Sequence, residues 1–160
     1  MFKILFSNLS FSFDGTSVIS AGSSNYDHSH TSLGSIQNVP IAIGSGSPRN
    51  KHVESLQDGS WRIMGDFPFV KSYIYQYSFV TFHGDFYLFG KIYYLQFLRI
   101  KFNLGGRADG RTSNMVAKMS QHSFDENIWT KVGNLLSGRS GHRSIVLGNQ
   151  IFHIGGYLTK

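Results

Sequence analysis

A block ending in glycine recurs along this 160-residue chain and limits its fold more than any other feature. The clearest copy runs from Arg139 to Gly156 (RSGHRSIVLGNQIFHIGG) and closes on Gly155-Gly156. An earlier copy runs from Tyr75 to Gly90 (YQYSFVTFHGDFYLFG). A shift of 65 residues sets Gly90 on Gly155, Phe86 on Ile151, Tyr87 on Phe152 and Phe89 on Ile154. A weaker copy, His30 to Gly44 (HTSLGSIQNVPIAIG), aligns with the second at a shift of 46, with Ser45 where a second glycine would stand. Units that repeat at this scale bury their faces against one another, so repetition sets the architecture before any single residue does.

Each copy has the chemistry of a β-hairpin. Ser144 to Ile154 is two short β-branched and aromatic runs around Leu147-Gly148-Asn149-Gln150, and Phe79 to Phe89 repeats this around His83-Gly84-Asp85. Paired glycines after a strand suit a backbone that needs positive φ or close approach. No segment carries a sustained 3.6-residue apolar period with caps, so little helix is expected.

Downstream of the hairpins come further strand-like runs. Met115 to Gly133 (MVAKMSQHSFDENIWTKVG) follows the second copy; Lys51 to Leu56, then Ser60 to Gly65, follow the first. Trp61 and Trp129 each come after a polar, turn-forming stretch. Together these residues resemble kelch repeats, over roughly residues 30 to 157. The resemblance implies an all-β fold: a kelch-type β-propeller fragment of four-stranded antiparallel blades, not a closed ring. It implies framework roles for Trp61, Trp129, Gly90, Gly106, Arg139, Gly141, His142, Gly155 and Gly156, with the Arg139 and His142 side chains hydrogen-bonding from blade to blade. A degenerate blade is expected over 30–70, an interrupted blade over 71–136, and two inner strands of another over 137–160. Residues 1–29, rich in Ser, Gly and Asn, read either as low-complexity or disordered chain or as the remnant of an earlier blade around Phe13 to Gly22. Since a closed ring takes several blades, the chain is expected to be a fragment or a truncated gene product rather than one of several copies assembled into a ring.

The two spacings, 46 and 65, disagree, and a kelch period is about 50 residues. The excess follows Gly90, in residues 91–105 (KIYYLQFLRIKFNLG). Without those 15 residues Gly90 joins Gly106, the double glycine returns, and the spacing becomes 50. Gly90-Lys91 can be encoded as GGT-AAG, which contains a splice-donor sequence, and Leu104-Gly105 as TTA-GGN, which ends in an acceptor. Residues 91–105 are therefore expected to be a translated retained intron, the alternative being a natural loop insertion. An unbroken coding exon with no spliced transcript would exclude the intron.

Charge follows from the same segment. The formal net charge is +6, and Lys91, Arg99 and Lys101 supply half of it. The basic balance is thus a poor argument for nucleic acid. No run reaches membrane-spanning length, and the apolar start Met1 to Phe6 is too short for a signal peptide. The chain has no cysteine, which removes disulfides and thiolate chemistry and favours a reducing, cytoplasmic compartment over secretion.

Candidate chemistry is sparse. His28 and His30 alternate as a chelating pair would, with no third ligand near in sequence. Gly44-Ser45-Gly46 and Gly105-Gly106 open no helix and so make no phosphate cradle. The aromatics from Tyr73 to Phe89 have only Lys71 close by, which suits intersheet contact better than base stacking. No catalytic residue, metal or cofactor is expected. Kelch propellers dock partners on loops at one end, and by that resemblance Arg49, Lys51, Arg107, Asp109 and Arg111 are the candidate partner contacts. The expectation is a scaffold that binds another protein, not nucleic acid or membrane, and is not an enzyme. The alternatives are part of a galactose-oxidase-like propeller enzyme or carbohydrate-binding domain, against which the absent cysteine argues, and a non-functional mis-spliced product.

Overall fold

The computed structural model describes residues 9–13, 15–29, 31, 33–46, 48–89, 114–120 and 126–158. Among them every regular element is a β-strand. Two four-stranded antiparallel meanders form the body. The first is β3 (Leu33–Ile36), β4 (Val39–Gly46), β5 (Arg49–Gln57) and β6 (Ser60–Asp66), paired in chain order. The second is β7 (Ser78–Phe82), β8 (Asp85–Phe89), β9 (Met115–Met119) and β10 (Trp129–Asn134), likewise in chain order. Neither sheet closes on itself. A hairpin of β1 (Leu9–Phe13) and β2 (Val18–Ser23) precedes them, and one of β12 (Arg143–Leu147) and β13 (Gln150–Ile154) follows. Short β11 (Arg139–Ser140) and β14 (Tyr157–Leu158) pair with each other.

The turns explain the tight meanders. Gln37-Asn38, Asp58-Gly59 and His83-Gly84 are two-residue connections in which both residues have positive φ, between 50° and 82°. That backbone twist matches the twist of the flanking strands, so neighbouring strands stay paired. The repeats thus encode sheets of nearest neighbours rather than of distant partners.

Equivalent strands of successive sheets lie side by side. Innermost β3 is next to β7, and β7 is next to β12. On the outside, β2 lies beside β6. The outer pairs also share an irregularity. Register shifts between Val53 and Glu54 where β5 meets β6, and between Ala117 and Val116 where β9 meets β10. It shifts again between Leu9 and Phe11 where β1 meets β2, and in all three the extra residue is on the later strand. A β-bulge bends and twists its strand, so the three pairs share one local shape. By position and by bulge, β1 and β2 correspond to the two outer strands of a sheet, within the segment whose sequence allowed either disorder or a blade remnant.

The core fills the space between the two meanders. Ile36, Ile41, Ile43 and Val53 come from the first, and Phe79, Phe86, Leu88, Ala117 and Met119 from the second. The link between sheets adds Phe67, Val70, Ile74 and Tyr77. Trp129 stands edge-on to Phe67 at 5.0 Å and to Phe86 at 6.0 Å, arrangements aromatic quadrupoles favour. Gly34 on β3 makes room for this: a Cβ there would run into the Phe86 ring. The β12–β13 hairpin differs, since Ile145, Leu147, Phe152 and Ile154 are all exposed.

Candidate interaction face

The residues that gather at one end of the array come from turns and connections, not from strand interiors. Three approaches to the inner strands converge there with the β4–β5 turn. Gly46 N–H donates to the Ser29 carbonyl at 3.2 Å, and the Asn50 side chain donates to the Asp27 carbonyl at 2.9 Å. Ile74 N–H donates to the Asn50 carbonyl at 3.2 Å, and Gly141 N–H to the Gln76 carbonyl at 3.0 Å. Backbone bonds thus chain the three units together.

Arg49 opens β5 and is exposed, its guanidinium 4.7 Å from the centre of the buried Tyr73 ring. Stacking holds the fork while leaving its edge to solvent. Tyr75 stacks on Tyr73 at 5.8 Å and covers Gly46. Lys51, two residues on, is differently engaged. Its Nζ lies 3.1 Å from Asp66 on β6, and His52 Nδ1 reaches the other oxygen at 2.7 Å. Partial burial pushes the Asp66 carboxyl up, but the hydrogen bonds of Lys51 and His52 outweigh it and hold the group below its usual range. Tyr26 stacks on His52 at 3.8 Å. Lys51 therefore ties β5 to β6, whereas Arg49 presents its charge outward. Arg107, Asp109 and Arg111, and the glycines Gly90 and Gly106, lie outside the described residues, as do residues 91–105.

A second ionic group sits inside this end. Glu54 on β5 is fully buried, and four donors converge on its carboxylate. Asn25 supplies its backbone N–H at 2.9 Å and its side-chain amide at 2.6 Å. Tyr26 N–H donates at 3.0 Å, and His28 Nε2 lies at 2.7 Å. Burial alone would raise the Glu54 pKa; the bonds from His28, Asn25 and Tyr26 win and lower it. Sequence reading passed over this cluster. It weighed His28 only with His30, which lies outside the described residues, as a chelating pair. Among the described residues no group of three or more side chains could hold a metal. The missed signal was an acid inside a strand run, Val53-Glu54-Ser55, that is buried at every position.

The framework residues resolve unevenly. Trp129 is buried, and its indole N–H donates to Asn127 at 2.9 Å; Trp61 is half-buried beside His28. Gly155 and Gly156 have φ of 71° and 83°, and a Cβ on Gly156 would lie 2.9 Å from His142. Arg139 and His142 depart from the expectation that their side chains bond from sheet to sheet. Arg139 reaches the Gly155 carbonyl of its own unit at 3.5 Å. His142 is fully buried with neither ring nitrogen bonded among the described residues. Gly141, at φ 66°, turns its own amide toward Gln76, so the backbone makes the intersheet bond instead. Burial, with His153, Arg139 and Arg143 nearby, lowers the His142 pKa to about 4.

Between the inner strands at this end lies a cavity of about 390 Å³. Its walls are Thr31 and Leu33, Ser78 and Phe79, and Arg143 and Ser144, the opening residues of three successive units. The chain matches no protein-family model and no curated protein. No helix among the described residues is long and apolar enough to cross a membrane.

Proposed function

We propose that the chain is part of a kelch-type propeller that serves as a protein-interaction scaffold and binds its partner at the end where the approaches to the inner strands converge. Its role is recognition, not catalysis. Two four-stranded meanders with their inner strands adjacent, and β3–β4, β5–β6 and β7–β8 turns that each pass through two positive-φ residues, support the blade assignment. The observation that carries the binding role is Arg49, held exposed on the Tyr73 ring where connections from three units meet. An arginine stacked in one orientation loses little freedom on binding and suits a carboxylate on the partner. Lys51 contributes by fixing the strand beneath.

The test is affinity capture with the full chain, followed by direct binding of each purified, identified partner. Arg49→Glu should weaken binding roughly tenfold or more, while Lys131→Glu on exposed β10 should leave it unchanged. Partners that bind the two variants equally would overturn the assignment.

A further inference from the structure

Sliding the third repeat over the second by 65 residues sets His142 on Tyr77. Tyr77 is buried, and its hydroxyl donates to the Ile43 carbonyl of the preceding sheet. The position is thus a clasp from one unit to the one before. In the third unit the clasp is an imidazole, and it makes no such bond. His142 is 0 % exposed, and neither ring nitrogen has a hydrogen-bond partner among the described residues. A buried polar ring in that state is unfavourable, so packing alone holds it. A Cβ on Gly156 would lie 2.9 Å from the His142 Cβ, which shows how closely the Gly155-Gly156 backbone covers it. The His153 ring stands edge-on at 5.6 Å.

The charges that act on His142 are of one sign. Arg139 comes from β11, Arg143 from β12 and His153 from β13, and each opposes a positive charge on the ring. Tyr157 on β14 lies beside Gly141, the residue before, and Phe89 on β8 meets His153 at 4.3 Å. A proton on His142 is therefore both stripped of water and repelled, and the ring is relieved only by leaving its place. The third unit is free to follow it. What joins that unit to the second sheet is the Gly141 N–H bond to the Gln76 carbonyl at 3.0 Å, the Phe89–His153 contact, and β12 lying beside β7. Its far face, with Ile145, Leu147, Phe152 and Ile154, is exposed. The core between the two meanders, by contrast, contains no histidine.

We propose that His142 is an acid-sensitive catch: its protonation frees the β12–β13 hairpin from β7–β8 while the two four-stranded sheets stay folded. The Gly141–Gln76 bond goes with the hairpin, so the end of the array where three units meet loses one of its sides. The sign follows from burial. In water the ring titrates at 6.5, and in this site at about 4. The attachment it supports is complete above 6.5 and is lost as pH falls from there toward 4. His153, whose pKa burial and Arg139 also lower, adds to the loss.

Hydrogen exchange of the full chain, read by mass spectrometry near pH 7.5 and near pH 5 and corrected for the intrinsic rate, tests this. Protection of residues 139–158 should fall roughly tenfold or more, while that of 33–66 holds. Glu54 stays ionised near pH 5, since its pKa is lowered from 4.5. His142→Phe keeps a ring in place without a proton to gain, and it should retain protection near pH 5. The wild-type chain supplies a second measure by NMR: the His142 Cε1–H resonance should titrate well below 6.5. A midpoint at 6.5 overturns the proposal. So does protection of 139–158 that does not fall, that falls equally in 33–66, or that falls as far in a His142→Phe chain protected like wild type near pH 7.5. Neither measurement needs a partner, so failure here leaves the docking role of Arg49 untouched.

Discussion

Glu54 stays charged in a place where a carboxylate normally would not, because every lone-pair direction meets a donor from the segment Asn25 to His28. The arrangement fastens the approach to β3 onto the middle of its own sheet. Glu54→Gln removes the charge and turns an amide N–H₂ toward backbone N–H groups, so it should cost about 2–4 kcal/mol in urea unfolding at pH 7. The pH dependence has a definite sign. The folded-state pKa is lowered, so the stability it supplies is present above the unfolded value of about 4.3 and is lost as pH falls through the folded value. Wild type should lose stability over that acid range faster than Glu54→Gln does; parallel curves would show that the carboxylate is not the titrating latch. None of this could be read from sequence, because the donors are 26 to 29 residues away and only folding brings them in. What sequence could offer was the anomaly of an acid in a strand run.

At the scale of elements, the hairpins were legible because their signals are local. Asp58-Gly59 and His83-Gly84 are turn residues by chemistry, and the alternation around them sets which side chains face inward. The contact between sheets depends instead on single complementary sites. Gly34 on β3 receives the Phe86 ring of β8, and nothing in the sequence around Gly34 announces it. Gly34→Ala should therefore destabilise by about 1–3 kcal/mol, the usual range for overpacking, although alanine is better than glycine in a strand. Gly59→Ala is the contrast: space is open there, and only its φ of 76° opposes the change. Equal thermal shifts for both, or none for Gly34→Ala, would show that the ring does not depend on that gap.

For the molecule as a whole, the exposed β12–β13 hairpin is the weak point. Its counterpart β7–β8 buries Phe79, Phe86, Leu88 and Phe89, while Ile145, Leu147, Phe152 and Ile154 remain 41–65 % exposed. An apolar, unpaired strand edge promotes association. Light scattering should show the chain self-associating as concentration rises, and Ile145→Lys with Ile154→Lys should suppress it with no loss of melting temperature. A chain that stays monomeric at every concentration would contradict this. The sequence by itself determined the hairpins of the second and third repeats and their turns, because glycine-bearing turns and two-residue alternation act over a few positions. The tertiary structure alone decided that β1 and β2 match an outer strand pair, that Lys51 is tied down while Arg49 is presented, and that Glu54 anchors the approach to its sheet. Those outcomes depend on side chains from distant segments meeting in a water-poor interior, where a charge persists only if fixed donors replace its water.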